Sequence, residues 1–445
     1  MVQSSKMEKA TELSAILRSF RLEPLRESDL AEFFFDDTMF IRTGDKWISP
    51  LNELFRSCTT PSRTNAHLLL GHRGCGKSTE LVNLKKQLED EGQPVCIIDC
   101  SLQLDLFQSD CWDVMLLITE GLCEIAKNKK ISVPNDIIKA VLDYIKKDTE
   151  IMETEDSSLS VEAGAGAKAS TPPLLDWVLS AFISVKSDAK LSAGTRSIAR
   201  EKLEKRTSEW LEYTKQIAAF ISNGCKGKQP VIIFESLDKL PIPGRIFEIL
   251  QFTVLSEMPF PVIYTFPISQ FYSLNFSTVR NLYIPHILPM IKISNLDRSS
   301  NEDGISVIKE IVCKRADLEL FDSSGKTGVL EHLIIKTGGS LRHLFECITK
   351  AAQRADLRGA DKMYLEDANS ALSGLKGELT RQVVYQDYES LANIYKYEKY
   401  RMGIDDLDLL LRMTQSSVII EYQNGERWHD LHPLISEFLE KQGVV

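Results

Sequence analysis

No stretch of about 18 residues in this sequence is apolar throughout, so no membrane-spanning helix is predicted. Its nine cysteines include no C-x-x-C pair, which excludes a zinc ribbon, and the odd count argues against a disulfide framework. They read as small buried apolar residues. Positive charge is in deficit: 53 Lys and Arg stand against 63 Asp and Glu, a formal net charge of −10. A surface of that sign repels polyanions, so any nucleic-acid contact requires a local basic face. The opening stretch, MVQSSKMEKATELSAILRSF, holds no apolar segment followed by a small-residue cleavage site, and the expectation is a cytoplasmic protein. No repeat of fixed period is visible.

What remains is ordinary globular composition, 43% hydrophobic and 26% charged, over 445 residues. That length exceeds what one core usually organises and predicts roughly two to four domains. Short apolar runs at Ala66–Leu70, Val95–Asp99, Val231–Phe234 and Val262–Phe266 read as buried strands, with Ile291–Ile293 as a candidate fifth. Long helical stretches separate them, and parallel neighbours need such crossovers. The fold class is therefore α/β, a parallel sheet with helices on both faces. Residues 100–230 far exceed the dozen or so one crossover needs, so an insertion is expected at about 101–228. Within it Cys111–Lys130, Asn135–Lys147 and Arg196–Ile221 read as helices, Leu174–Val185 as a packed apolar segment, and Ile151–Ser170 as Gly/Ala/Ser-rich. The expected domains are 1–60, packing on the α/β core; 61–296, the core itself; 297–375, a helical lid; and 376–445. In the last, helix candidates at Thr380–Lys396 and Asp405–Arg412 precede Ser417–Tyr422, the turn pair Asn424-Gly425 and Arg427–Leu431. Asn-Gly between strand-like runs is a hairpin signal, and helices followed by a two-stranded wing suggest a winged helix.

Gly71-His72-Arg73-Gly74-Cys75-Gly76-Lys77-Ser78 fits G-x-x-x-x-G-K-[ST] in full, between a strand-like run and helically spaced Leu81, Leu84 and Leu88. In such a loop glycines let the backbone wrap phosphates, and N–H groups together with the next helix's N-terminus face the anionic oxygens. Lys77 then contacts the β- and γ-phosphates and Ser78 the Mg²⁺, with Thr79 beside them. His72 reads as a loop filler. The second acidic site that a P-loop requires is supplied by Val231-Ile232-Ile233-Phe234-Glu235-Ser236-Leu237-Asp238, an apolar strand ending in two acids.

This pair of motifs resembles the AAA+/STAND branch of P-loop ATPases, over roughly residues 45–370. The resemblance implies ATP and Mg²⁺ as cofactors, with Ser78 and Glu235 at the metal. It implies Lys77, Glu235 and Asp238 in the catalytic site, Thr265 as a sensor on the γ-phosphate side and Arg342, in Thr337-Gly338-Gly339-Ser340-Leu341-Arg342, as a lid arginine. Glu235 departs from the Asp usual in the branch, and its extra methylene displaces the carboxylate by roughly 1 Å. Ser236 stands where many members carry a catalytic Glu. An arginine from a neighbouring subunit often completes such sites, and Arg196, Arg200 and Arg206 are named for that role.

The resemblance further implies a homo-oligomer, and a switch or assembly ATPase acting with a separate effector protein, as in prokaryotic antiphage defence. An origin-recognition-like DNA-binding ATPase shares the P-loop, lid and winged helix and is the second reading. DNA is disfavoured because the recognition stretch carries Asp405, Asp406 and Asp408 against Arg412. A nucleotide-binding scaffold with little turnover is the third. Lys77→Ala is expected to abolish ATP binding while leaving the fold intact, measured by calorimetric titration beside circular dichroism. Wild-type affinity in a folded variant would sink the P-loop assignment.

Overall fold

The computed structural model describes residues 7–36, 38–45, 49–60, 64–104, 109–139, 207–240, 244–324 and 327–445. Five strands, β1 (Ala66–Gly71), β2 (Val95–Asp99), β3 (Val231–Glu235), β4 (Val262–Pro267) and β5 (Ile284–Ile287), form one sheet in the order β2-β3-β4-β1-β5. Every pairing is parallel. β1 to β4 are nearly continuous buried apolar runs, as expected of strands covered on both faces. The fifth strand differs from expectation. Ile291–Ile293 is not in the sheet, and Ile284–Ile287 takes the edge beside β1 instead. Its Pro285, its polar His286 and an exposed Ile284 hide it from a hydrophobic pattern, and proline is tolerated there because an edge strand needs its N–H groups on one side only.

The helices follow from local signals. α1 (Glu27–Phe33) and α2 (Met39–Thr43) precede α3 (Pro50–Thr59), which has proline in its first turn and Ser49 as N-cap. α4 (Lys77–Asp90) starts at Gly76, left-handed at φ 101°, and buries Leu81, Leu84 and Leu88. α5 (Cys111–Asn128) opens with an Asp110/Asp113 capping box. With α6 (Thr207–Gly224) it covers one face of the sheet, where Trp210 donates its indole N–H to Thr119 at 2.9 Å. The expected features at 140–206, including the Leu174–Val185 segment and Arg196, Arg200 and Arg206, lie outside the described residues.

α7 (Glu302–Cys313), α8 (Val329–Lys336), α9 (Leu341–Leu357) and α10 (Leu365–Thr380) form the helical lid. The stretch expected as one helix from Thr380 breaks at residues 381–387 before α11 (Tyr388–Lys396). α12 (Leu407–Gln415), the antiparallel hairpin of β6 (Ile419–Asn424) and β7 (Glu426–Leu431), and α13 (Pro433–Lys441) complete a winged-helix domain. Its core is continuous with that of the lid and with Leu13, Ile16 and Phe20 of the N-terminal segment. The hairpin divides its faces: Ile419 and Leu431 join that core, while Ile420, Tyr422 and Trp428 pack with Leu81, Leu84 and Cys75 on the sheet face opposite α5. Gly338, left-handed at φ 64°, lets that hairpin approach, since a Cβ there would lie 2.9 Å from Ile420 and Pro433. Tyr422 donates its hydroxyl to the Gly338 carbonyl at 2.8 Å.

Several histidines are buried in this frame. His67 and His286 face each other at 3.2 Å on β1 and β5, with Glu53 3.2 Å from the far side of His286. His432 meets His343 at 3.3 Å. Burial pushes His67 and His286 down to about 4 and His72 to about 3, with His432 well below the ordinary value. Each therefore takes a proton more readily once unfolded. The stability they contribute is complete above about pH 6.5 and drains away as pH falls from there towards 4, by up to ~1.4 kcal/mol per histidine per pH unit. Glu80, raised to about 7 by burial, has the opposite sign, gaining stability as pH falls through 7. The histidines outnumber it. Thermal denaturation should show Tm falling by several degrees between pH 7 and 5.5, and a flat profile would mean that these imidazoles are not held neutral.

Candidate functional site

The phosphate loop runs from the C-terminal end of β1 into α4, at the end of the sheet where parallel α/β folds bind ligands. Glycine is required at two of its positions. Gly76 and Gly74 are left-handed, at φ 101° and 82°, and a Cβ on Gly74 would lie 2.5 Å from the Cβ of Arg342. Lys77 folds back over the loop. Its Nζ donates to the carbonyls of Gly71 (2.8 Å) and His72 (3.0 Å) and lies 3.0 Å from Asp238. Burial alone pushes the Asp238 carboxyl up, but the Lys77 charge and hydrogen bond outweigh it and hold it below its usual range. The same contact raises Lys77 against its own burial.

Glu235 ends β3 in register with Asp99 of β2. Ser78 donates to one of its carboxylate oxygens at 2.5 Å and Ser236 to the other at 2.5 Å. Ser236 sits left-handed at φ 67° and accepts from Lys239 Nζ at 2.7 Å. Thr265 lies beneath the site rather than in it. Its hydroxyl accepts the N–H groups of Leu237 (2.9 Å) and Asp238 (3.4 Å), so it positions the turn that carries Asp238. Arg342 stands in the first turn of α9 and reaches the cleft, seated directly on Gly74. Arg73 is exposed at the rim and Cys75 is buried under the loop. His72 points away from the cleft, and its Nε2 accepts the N–H of Glu421 in β6 at 2.8 Å.

The cleft has a volume of about 500 Å³. Its far end is built by residues that sequence patterns do not mark. Pro24 and Leu25 form a strap over α4, where the Leu25 N–H donates to Thr79 Oγ1 at 3.3 Å. Phe33, Ile311 and Phe345 add apolar walls. Arg315 ties these together, donating to the carbonyls of Phe33 (3.2 Å) and Ile311 (2.8 Å) with its guanidinium 5.1 Å from the Phe345 ring centroid. Burial lowers it to about 10, so it stays charged. Lone arginines on helix ends carry no periodic or spacing signal, which is why these and Arg42 go unseen in the sequence.

A phosphate end with backbone donors and Lys77, an acidic end with Glu235, and an apolar end suit a nucleotide with a metal ion. Among the described residues no three His, Cys, Asp or Glu side chains cluster as a cage. Mg²⁺ is suited to such a site, since it is usually held by one or two side chains with phosphate oxygens. Ser78 and Glu235 offer that pair.

The parallel sheet with the loop after its first strand, the lid over it and the winged helix behind decide the architecture. The fold is a P-loop parallel α/β sheet with a helical lid and a C-terminal winged helix. No family model and no curated protein sequence matches the chain. Among solved structures, the chain is similar to the Aeropyrum pernix ORC1 protein in complex with DNA, at 12% identity and a TM-score of 0.38, covering 94% of this chain and 97% of that one. It is also similar to the Aeropyrum pernix ORC2 protein in ADPNP–ADP complexes (11%, TM-score 0.35, covering 89% and 92%). A third is the Drosophila ORC bound to DNA (10%, TM-score 0.36, covering 98% and 93%). Among the described residues no helix is long and apolar enough to cross a membrane.

Gly74→Ala should displace Arg342 and strain the loop at once, because the added methyl meets a Cβ at 2.5 Å in a left-handed backbone. ATP affinity is expected to fall at least about tenfold, a cost of roughly 1.4 kcal/mol or more. Unchanged affinity by titration would show that lid and loop do not meet in this way.

Proposed function

We propose that this chain is an ATP-binding switch or assembly ATPase of AAA+/STAND type that works with a separate effector protein. The observation that carries it is the Lys77–Asp238 and Ser78–Glu235 pairing at the mouth of the phosphate loop. Two cation–carboxylate and hydroxyl–carboxylate contacts there occupy the groups a triphosphate and its metal would engage. Nucleotide entry then exchanges one set of partners for another, which is how a ligand biases a two-state element. Mg²⁺, when bound, would supply charge neutralisation for phosphoryl transfer, and Ser78 and Glu235 would hold it. Lys77 would turn from the Gly71 and His72 carbonyls to the phosphates, and Asp238, freed of Lys77, would be the carboxylate placed to orient water. Arg342 adds charge from the lid, and the strap with Phe33, Ile311 and Phe345 receives the base. Homo-oligomerisation and a role in antiphage defence rest on the resemblance of the loop alone.

For DNA binding, the second reading, the hairpin supplies a specific counter-observation. In β6 and β7, Ile420, Tyr422, Trp428 and His429 are buried against the core. The exposed start of α12 carries Asp405, Asp406 and Asp408, and its Arg412 is paired with Asp387 at 2.8 Å. Such a face neutralises few phosphates.

Phosphate release by the purified chain, alone and with candidate partners, tests the proposal. Glu235→Gln should keep ATP affinity within a few-fold while lowering release by about 100-fold, because it preserves shape and removes the metal-facing charge. Release at the wild-type rate in that variant removes Glu235 from the metal site.

A further inference from the structure

Among the described residues Arg42 is the largest side chain that is essentially fully buried, and it lies in α2, upstream of the phosphate loop. Its guanidinium makes three bonds. Nη2 donates to the Cys75 carbonyl at 2.9 Å, Nη1 to the Pro289 carbonyl at 2.5 Å, and Nε to Thr38 Oγ1 at 3.2 Å. Thr38 also hydrogen-bonds Glu80, the buried acid one turn into α4, which faces the Arg42 charge. Arg42, Thr38 and Glu80 therefore form one buried module packed against the loop, in the wall of the cleft.

A trans peptide holds its C=O and the following N–H antiparallel. Anchoring the Cys75 carbonyl to a cation fixes the Gly76 N–H in the opposite direction, and Gly76 lines the cleft. A charged donor on that carbonyl also polarises the peptide and strengthens the N–H as a donor, as chained hydrogen bonds do. The Pro289 carbonyl, just past β5, holds the other arm of the guanidinium and fixes its plane. We propose that Arg42 is a positioning residue of the phosphate site, setting the orientation and donor strength of the Gly76 amide through the Cys75 carbonyl. This rests on the nucleotide-binding reading above. It also accounts for Glu80 in the G-x-G-K-S-T-E run, whose buried carboxyl faces the guanidinium and bonds Thr38.

The Cys75-Gly76 step is the one Cys-Gly pair in the sequence. Protein carrying ¹³C in cysteine carbonyls and ¹⁵N in glycine therefore gives one peptide correlation, at this bond. ATP added to the wild type should move the Gly76 amide proton downfield. Arg42→Lys keeps the charge but not the planar fork that spans two carbonyls. It should reduce that movement and raise the ATP Kd about tenfold or more. Thr38→Val, which frees one arm of the guanidinium, should do the same to a smaller extent, roughly threefold. A folded Arg42→Lys protein with the wild-type Gly76 shift and Kd overturns the proposal. If Arg42→Lys does not fold, Thr38→Val decides, and an unchanged shift with unchanged Kd overturns it equally. Absence of any Gly76 movement in the wild type would instead overturn nucleotide binding at this loop.

Discussion

A loop that turns its N–H groups towards an anion turns its carbonyls and side chains the other way, and those groups need partners because they are buried. In this protein each partner comes from a different part of the chain. Lys77 covers the Gly71 and His72 carbonyls, Arg42 covers that of Cys75, and the Glu421 N–H bonds the His72 ring. An unpaired buried backbone group costs on the order of 1–3 kcal/mol. The N-terminal segment and the winged-helix hairpin are thus held to the loop by its own hydrogen-bonding requirements, and Arg342 of the lid seats against Gly74 by close packing.

The same constraint redefines the hairpin. A wing that protrudes is available for a groove, whereas this one donates a backbone N–H to the phosphate loop and buries Trp428 beside α4's apolar face. His72 must be unprotonated at Nε2 to accept that N–H. Burial, joined by the charge on Lys77, pushes its imidazole far down and secures that state. The lid is anchored comparably at its other end, where Arg315 binds the carbonyl of Phe33 and Ala10 pairs with Ala316. Phosphate loop, lid, N-terminal segment and hairpin share one set of contacts, so a change at Lys77 reaches all of them through short, direct bonds.

Patterns of short range in the chain were legible. β1 to β4, the P-loop, the Asn424-Gly425 turn and α4 sit where apolar spacing, glycine spacing and turn chemistry put them, because these depend on neighbours a few residues away. β5 was not legible, since an edge strand with Pro285 and His286 carries no apolar run. The break at 381–387 was missed because helical composition continues through it. Thr265 was read by its place at the end of a strand, and only the fold shows that its hydroxyl is taken by the turn carrying Asp238.

By itself the sequence determined that a phosphate loop would form between a buried strand and a helix, because φ > 0 at Gly74 and Gly76 and the adjoining apolar spacing are local requirements. It also determined the sheet class and the sign of the surface charge. Only the tertiary structure decided which groups satisfy the back of that loop. Arg42, Glu421, Asp238 and Arg342 lie from tens to hundreds of residues away from it in sequence, and a hydrogen bond between such partners has no periodicity. Their pairing is set by how the sheet, lid and hairpin pack, where a buried carbonyl or imidazole accepts the donor that packing brings within 3 Å.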